Sequence, residues 1–420
     1  MSLVFMAVIM VASVSVVSYE GNFVLQTKKN YNREKALALA EAGINQAVYQ
    51  LNQTAGSYTG ETFTFGDGAV VTQVINIDGF NKTLEATAYI PNAVSPIAQR
   101  KVILKVSTEP STDALAFHYG VQVGDGGVFI GMGAEIDGNV YSNGPITGSG
   151  DNHSTITGDA FAAGAAVIDS VKVGGDARAN TILDSEVGGD AYYQILTNTE
   201  VDGASYPASP NPAPQSFPIS DGNVADWKFA AEAGGTIVGD YRPLPGTVSL
   251  GPKKITGNLI LDNHQILILT GTVWVQGYID VSNGASISLH PDYDRNSGVI
   301  LADKWIQVGN NGVFSGSGNE DSFLLMISSA GCRGGTQTAD CADNNSSILL
   351  SNNVNSTIFY APNGLIHLNN LVEVKEAAGY MMHLSNNSEI DYESGLANAL
   401  FSNGPSGAWS AVRGTWQESR

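Results

Sequence analysis

Cysteine is nearly absent from this chain of 420 residues, which has only Cys332 and Cys341. Two thiols cannot staple a protein of this size, so a buried apolar core must hold it. They lie in a Gly-, Asn- and Asp-rich stretch, close enough to shut one small loop outside a reducing cytosol, and a disulfide is expected there. Two free thiols are the alternative, and a metal site would need two more ligands from elsewhere. Basic residues are also scarce. Twenty Lys and Arg face forty Asp and Glu, for a net charge of −20. No Lys/Arg cluster with interleaved aromatics occurs, and such a field repels phosphate backbones, so nucleic acid is not an expected partner. Charged residues total only 14%, but 43% hydrophobic content is far above that of a disordered chain. Signatures of chemistry are missing as well. There is no Gly-x-Ser-x-Gly, Walker loop, His-Glu-x-x-His or dinucleotide fingerprint. The six histidines (His118, His153, His264, His290, His367 and His383) are scattered. No enzyme activity and no cofactor are expected.

What is present begins with a run from Met1 to Tyr19 that contains no charge and is mostly apolar, with Leu3, Phe5, Val8 and Val11 among its members. That length suits a membrane helix, a secretory signal ending near Ser13-Val14-Ser15, or the buried helix of a fibre subunit. Leu37, Ala40, Ile44, Ala47, Val48 and Leu51 then recur at three- and four-residue steps, the stripe of an amphipathic helix. Residues 1–57 therefore read as one long helix. Over 58–108 the period changes to two, which predicts a small antiparallel sheet of three or four strands.

Five later stretches say nearly the same thing: Ile136-Asp-Gly-Asn-Val-Tyr141, Ile156-Thr-Gly-Asp-Ala-Phe161, Val173-Gly-Gly-Asp-Ala-Arg178, Val187-Gly-Gly-Asp-Ala-Tyr192 and Val201-Asp-Gly-Ala-Ser-Tyr206. Their glycines stand at 138, 158, 175, 189 and 203. A motif returning at rung-like distance predicts stacked coils, each burying its face on the next. The expected fold is mainly β: the helix and small antiparallel sheet, then a right-handed parallel β-helix over 109–206. A Pro-rich linker with a short helix follows at 207–245, with Trp227 and Phe229 as candidates to plug a solenoid end. The β-helix resumes over 246–393, and 394–420 closes it as a C-terminal cap bearing Phe401, Trp409 and Trp416. Asp159, Asp176 and Asp190 read either as a cation ladder or as a ladder of corner hydrogen bonds. The pairs Asn344-Asn345, Asn352-Asn353, Asn369-Asn370 and Asn386-Asn387 are expected to stack at corners.

The stretch Ala40-Glu41-Ala42-Gly43, on a helix followed at once by a small meander, resembles the type IV pilin-like proteins, minor pilins in particular. The coils that follow resemble the bactofilin-like, polymer-forming β-helices. The basic leader that a prepilin peptidase cuts is absent, and so is an early glutamate in the apolar run. Either the chain's start lies inside the natural one, or this is an unprocessed, membrane-anchored relative. The pilin resemblance implies an assembly helix carrying Leu3, Phe5, Val8, Val11, Leu37, Ile44 and Leu51, with other pilin subunits as partners and residues 1–19 in the membrane before assembly. It places the protein at the cell surface, as a minor pilin or as a tip or adhesin subunit in a filament. Exposed Tyr, Asn and Trp on the coils are then candidates to meet glycans or a host or neighbouring cell surface.

Two chemical readings remain. Asp292, Asp294, Asn296 and Asp303 match Ca²⁺-loop spacing in part, with Ser297 where glycine belongs and no flanking helices; a polar turn is the competing reading. Asp262, His264, Asp280, Asp303 and Lys304 lie near strands. They support the runner-up function, a membrane-anchored, carbohydrate-active β-helix enzyme (a polysaccharide lyase or hydrolase), only if two carboxylates share an outer groove.

Overall fold

The computed structural model describes residues 2–53, 58–76, 81–107, 112–115, 117–150, 154–355, 357–393, 396–397, 399–402 and 409–419; side chains are described from residue 23 onward, apart from a few at segment edges. The chain forms two compact units, 1–109 with 407–420 and 110–406. The second is thus an insertion between two parts of the first.

In the first unit, α1 (Ser2–Gln53) runs for 52 residues, roughly 80 Å at about 1.5 Å per residue. Its C-terminal part lies on an antiparallel meander of β1 (Thr62–Phe65), β2 (Gly68–Asn76), β3 (Asn81–Ile90) and β4 (Ala98–Ser107). Alternate residues of β3 are buried, as a one-faced sheet requires. The buried stripe of the helix is Ala36, Leu39, Ala40, Ile44, Ala47, Val48 and Leu51. Gly43 sits in that stripe because a Cβ there would come within 2.6 Å of Val70 Cγ1 and 3.0 Å of Ala86 Cβ. Close approach to the sheet offsets the cost of glycine in a helix, about 1 kcal/mol.

Two expectations are corrected in this unit. Ile44 and Leu51, expected to face other subunits, are spent on the unit's own core, and Leu37 packs at its edge. Much of the expected cap belongs here too. Ser410–Ala411 and Gln417–Ser419 pair antiparallel with β4. Trp409 is buried against the helix and sheet, its N–H donating to Asn52 Oδ1 at 2.7 Å, while Trp416 is exposed. The aromatic spacing at the C-terminus was compatible with either placement; strand pairing decided it.

The second unit is a parallel β-helix with three strand positions per coil. In its first half the three faces are built by strands such as Ala160–Ala162, Val167–Asp169 and Lys172–Val173. Parallel pairs Val140↔Ala160, Ala160↔Ala177, Ala177↔Ala191 and Ala191↔Ser205 stack one repeat on the next, so the sequence repeats are the rungs. Inward positions (Ile136, Ile156, Val173, Val187; Ala160, Ala177, Ala191) form one continuous core with those of the second half.

The two halves are joined in an order that the sequence hides. Glu376–Ser385, near the end of the unit, pairs in parallel with Val121–Ile130, near its beginning. Coils 121–207 therefore grow away from this junction in one direction, and coils 236–391 approach it from the other. The chain must travel back between them, and residues 207–220 do so as a strap across the outside of the first face. Along the way Ser209 N donates to Tyr193 O, Gly164 N to Pro212 O, Tyr141 Oη to Ala213 O, Gln122 Nε2 to Ser216 O and Tyr360 Oη to Ile219 O. Beyond Pro207, which ends the last edge strand, prolines fit this strap because it is extended and belongs to no strand ladder.

The strap runs into α2 (Asp221–Ala233), capped by Ser220 and Asn223. The helix does not plug an end. Trp227 is fully buried in a lateral core with Val299, Leu301, Phe323 and Phe401, and Phe229 is exposed. Lys228 completes the docking, its Nζ 2.6 Å from Asp303 and over the Trp274 ring.

Candidate functional site

The Gly-Asp motif is a corner device. Asn139 Oδ1 accepts from Asp159 N, Asp159 Oδ1 from Asp176 N, Asp176 Oδ1 from Asp190 N and Asp190 Oδ1 from Ala204 N, each at 2.8 Å. Each side chain satisfies the backbone of the next rung. The preceding glycine is needed because a Cβ on Gly189 would meet Asp176 Oδ1 at 2.5 Å and the Gly175 backbone at 2.7 Å. Of these corner glycines only Gly138 has a positive φ, so close approach and not backbone handedness selects them. The same device recurs in the second half, where Asp240 Oδ1 accepts from Asn258 N and Asn258 Oδ1 from Tyr278 N.

At another corner, between the second and third faces, asparagines in the left-handed region stack from rung to rung. Asn310 Nδ2 donates to Asn283 Oδ1 (3.3 Å), Asn352 to Asn310 (3.1 Å), Asn370 to Asn352 (3.1 Å) and Asn386 to Asn370 (3.0 Å). Left-handed φ favours Asn over other side chains. The members expected were partly wrong. Asn344-Asn345 lies in the excursion between Ser328 and Ile348, outside the stack, and Asn310-Asn311 takes its place. Register could not be read across that excursion from the sequence.

The excursion is closed by Cys332–Cys341, which form the expected disulfide. It lies on the solenoid through Arg333, whose guanidinium sits 3.7 Å from the Tyr380 ring centroid, through Asp340 paired with Lys304 at 2.8 Å, and through Asn344, which meets His367 Nδ1 at 3.4 Å. His367 stacks on His383, which meets Phe129 edge-on. Burial, then the neighbouring His383, lowers the His367 pKa to about 4, and burial lowers that of His383 as well.

The Ca²⁺-loop residues are not brought together. Asp303 is held by Lys228 and by Trp274 Nε1 (3.0 Å), Asp294 Oδ1 by Asn319 (3.1 Å) and Asp292 by His290 (3.3 Å), while the Asn296 carbonyl accepts from Ser322. No group of three or more His, Cys, Asp or Glu among the described residues is placed to hold a metal. Of the residues weighed for catalysis, Asp262 accepts from Asn283 Nδ2 and Asn263 N, which hold its carboxyl below the usual range. Asp280 is raised by burial and then by Asp262, and Lys304 is paired with Asp340. His264 occupies a left-handed corner beneath Gly284. His153 lies outside the described residues.

A third cluster was not anticipated. Glu373, Glu389 and Glu135 stack in register on the third face, and Lys375 Nζ bridges Asp391 (2.6 Å), Glu393 (3.0 Å) and Glu373 (3.6 Å). Against the pull of its burial, Asp391 and Glu393 raise the Lys375 pKa. Beneath the strap side, Glu376 is wholly buried with Oε2 unpartnered, and burial raises its pKa well above the usual range.

On α1 the side chains of Leu3, Phe5, Val8 and Val11 lie outside the described residues. Further along, Phe23, Val24, Leu25 and Tyr31 are each more than 60% exposed. Among the described residues no helix is long and apolar enough to cross a membrane.

No protein-family model matches the chain, and no curated protein does. Among solved structures, the competence-associated pilin ComZ from Thermus thermophilus is similar at 12% identity, covering 92% of this chain and 96% of that one, with a TM-score of 0.27. So loose an overlap transfers no role.

Proposed function

We propose that this chain is a pilin-like subunit of a cell-surface filament, a minor or tip subunit that displays its β-solenoid for adhesion, and that its work is structural and not catalytic. The observation that carries this reading is an exposed apolar cluster on α1. Phe23, Val24 and Leu25 stand 63–67% exposed on a helix whose later stripe, Ala36 to Leu51, is buried on its own sheet. Exposed apolar surface on a long helix calls for a partner, and equivalent helices from other subunits match it in shape and chemistry. The apolar run at 1–19 would hold the chain in the membrane before assembly. The acidic solenoid, satisfied at its corners by its own side chains, suits a rigid displayed surface.

Fractionation with immunogold electron microscopy tests the proposal. Label on filaments, lost in a Leu25→Asp chain that still folds its small sheet, is the expected result. Label confined to a soluble fraction, unchanged by Leu25→Asp, refutes it.

A further inference from the structure

The corner between the second and third faces holds a shallow groove of about 520 Å³. One wall is the column Asn310, Asn352, Asn370 and Asn386, whose amides bond head to tail. Asn310, Asn352 and Asn370 each spend one N–H and one oxygen lone pair within the column, which leaves the second of each for a ligand, while Asn386 Nδ2 donates to both Asn370 and Asn369. The other wall begins in the same way, with Asn353 Nδ2 on Asn311 Oδ1 at 2.8 Å, and then breaks at Leu371.

Leu371 is the anomaly. It adopts φ +56°, a left-handed conformation that Asn tolerates and leucine disfavours. Its side chain is 61% exposed, so burial gives nothing back. It also interrupts an amide column that asparagine would complete. A ladder selected for stability alone would carry Asn at this rung, and strain without a structural return marks a functional position.

We propose that this groove binds a neutral, extended polysaccharide lying along the solenoid axis, with Leu371 under the C–H face of one sugar ring and the flanking amides on the hydroxyls of its neighbours. This deepens the adhesive reading above and rests on it. No charged side chain lines the groove, and a net charge of −20 repels anionic polymers. Rungs repeat every ~4.8 Å, close to the length of one sugar in an extended β-linked chain. Each amide presents a donor beside an acceptor, which is what a pair of vicinal hydroxyls requires.

The test is calorimetry on the full chain in a sugar-free detergent, with cellohexaose and chitohexaose as neutral probes and hexagalacturonate as the anionic control. Saturable binding of a neutral probe is expected. Leu371→Asn should leave Tm equal or higher, because it repairs the column, yet weaken binding about tenfold. Asn353→Ala should weaken binding as well, its fold checked by circular dichroism. No saturable heat with either neutral probe, tighter binding of the anionic control, or a Leu371→Asn chain that binds unchanged would each overturn the proposal. Filaments without sugar binding sink the groove and spare the subunit; sugar binding by a protein never found in filaments does the reverse.

Discussion

Replacing Asp176 separates the two things its carboxylate could do. Its Oδ1 accepts the Asp190 N–H at 2.8 Å, and its own N–H is held by Asp159. Asp176→Ala removes an acceptor from a part-buried backbone donor. A hydrogen bond to a charged group contributes about 1.5–3 kcal/mol, and partial access of water at the corner pulls this towards ~1–2. Asp176→Asn keeps an oxygen in place. Asn139 and Asn258 already do this work in other rungs, so its expected cost is below about 0.5 kcal/mol, the scale of an unremarkable surface change. Because a solenoid can unfold by parts, the assay is native-state hydrogen exchange over residues 186–193 beside urea unfolding. Protection at Asp190 should fall in the alanine chain and persist in the asparagine chain. A companion variant, Gly189→Ala, places a Cβ 2.5 Å from Asp176 Oδ1 and 2.7 Å from the Gly175 backbone, and overpacking of this kind costs about 1–3 kcal/mol. Combined with Asp176→Ala it should be sub-additive, since only the side-chain part of the clash is relieved. Equal losses for Asp176→Asn and Asp176→Ala, with stability that falls on adding a chelator, would refute the corner hydrogen bond in favour of a cation ladder.

Acid should loosen the second face. His367 has a folded pKa of about 4 against 6.5 unfolded, so its contribution is intact above pH 6.5 and lost as pH falls towards 4. The difference corresponds to ~3 kcal/mol, and His367→Gln should flatten that part of the stability-pH profile; an unchanged profile counts against the assignment. Glu376 works in the opposite direction. Burial raises its carboxyl pKa well above the ordinary range, so stability is full below that range and declines as pH rises towards the raised folded value; Glu376→Gln removes this decline, and its thermal melting should vary less with pH. Reducing Cys332–Cys341 opens a short loop worth roughly 2–3 kcal/mol, read as a lower urea midpoint together with faster exchange at Asn344. Trp227→Ala should cost ~3–5 kcal/mol and release α2 from the first face, visible as new proteolysis within 207–233; a silent Trp227→Ala would mean the lateral core is not what docks the helix.

Local periodicity was legible in the sequence and long-range order was not. The repeat spacing anticipated the rungs because each rung is built from residues close in sequence, with Val173 and Val187 facing inward in turn. The period-two pattern of 62–107 likewise anticipated β1–β4. Two things stayed hidden. The pairing of 376–385 with 121–130 joins segments more than two hundred residues apart, and neither edge carries a mark naming its partner. The return of 410–419 to β4 hid for the same reason, since a short strand beside a tryptophan suits a cap and a sheet edge equally. The strap was recognised as extended from its prolines, but its direction follows only from where the next coil begins. Of the candidate sites, the aspartate and asparagine corners were visible as composition, and only the coordinates distinguish a side chain that bonds its neighbour from one that waits for an ion.

The end of the first half opposes the end-to-end stacking that polymer-forming β-helices would suggest. Inward Ala160, Ala177 and Ala191 are each fully buried, and the next residue in that column is Ser205, which is exposed. The corner series Asn139, Asp159, Asp176, Asp190 ends in Ala204, which donates the last hydrogen bond and has no side-chain oxygen to offer a further rung. Glu200 and Asp202 add charge to the edge strand, and Pro207 removes a donor from it. Each change weakens the template that an incoming strand would read. Two successive positions that carry an amide or carboxylate and then an apolar residue in the other repeats, 204 and 205, lose both together on the last coil of this half. That coil is built to stop. Replacing Ala204 with Asp and Ser205 with Ala restores the repeat, and the doubly substituted chain should self-associate in sedimentation at concentrations where the parent does not. A parent that already forms long end-to-end species would show that the termination does not work as argued.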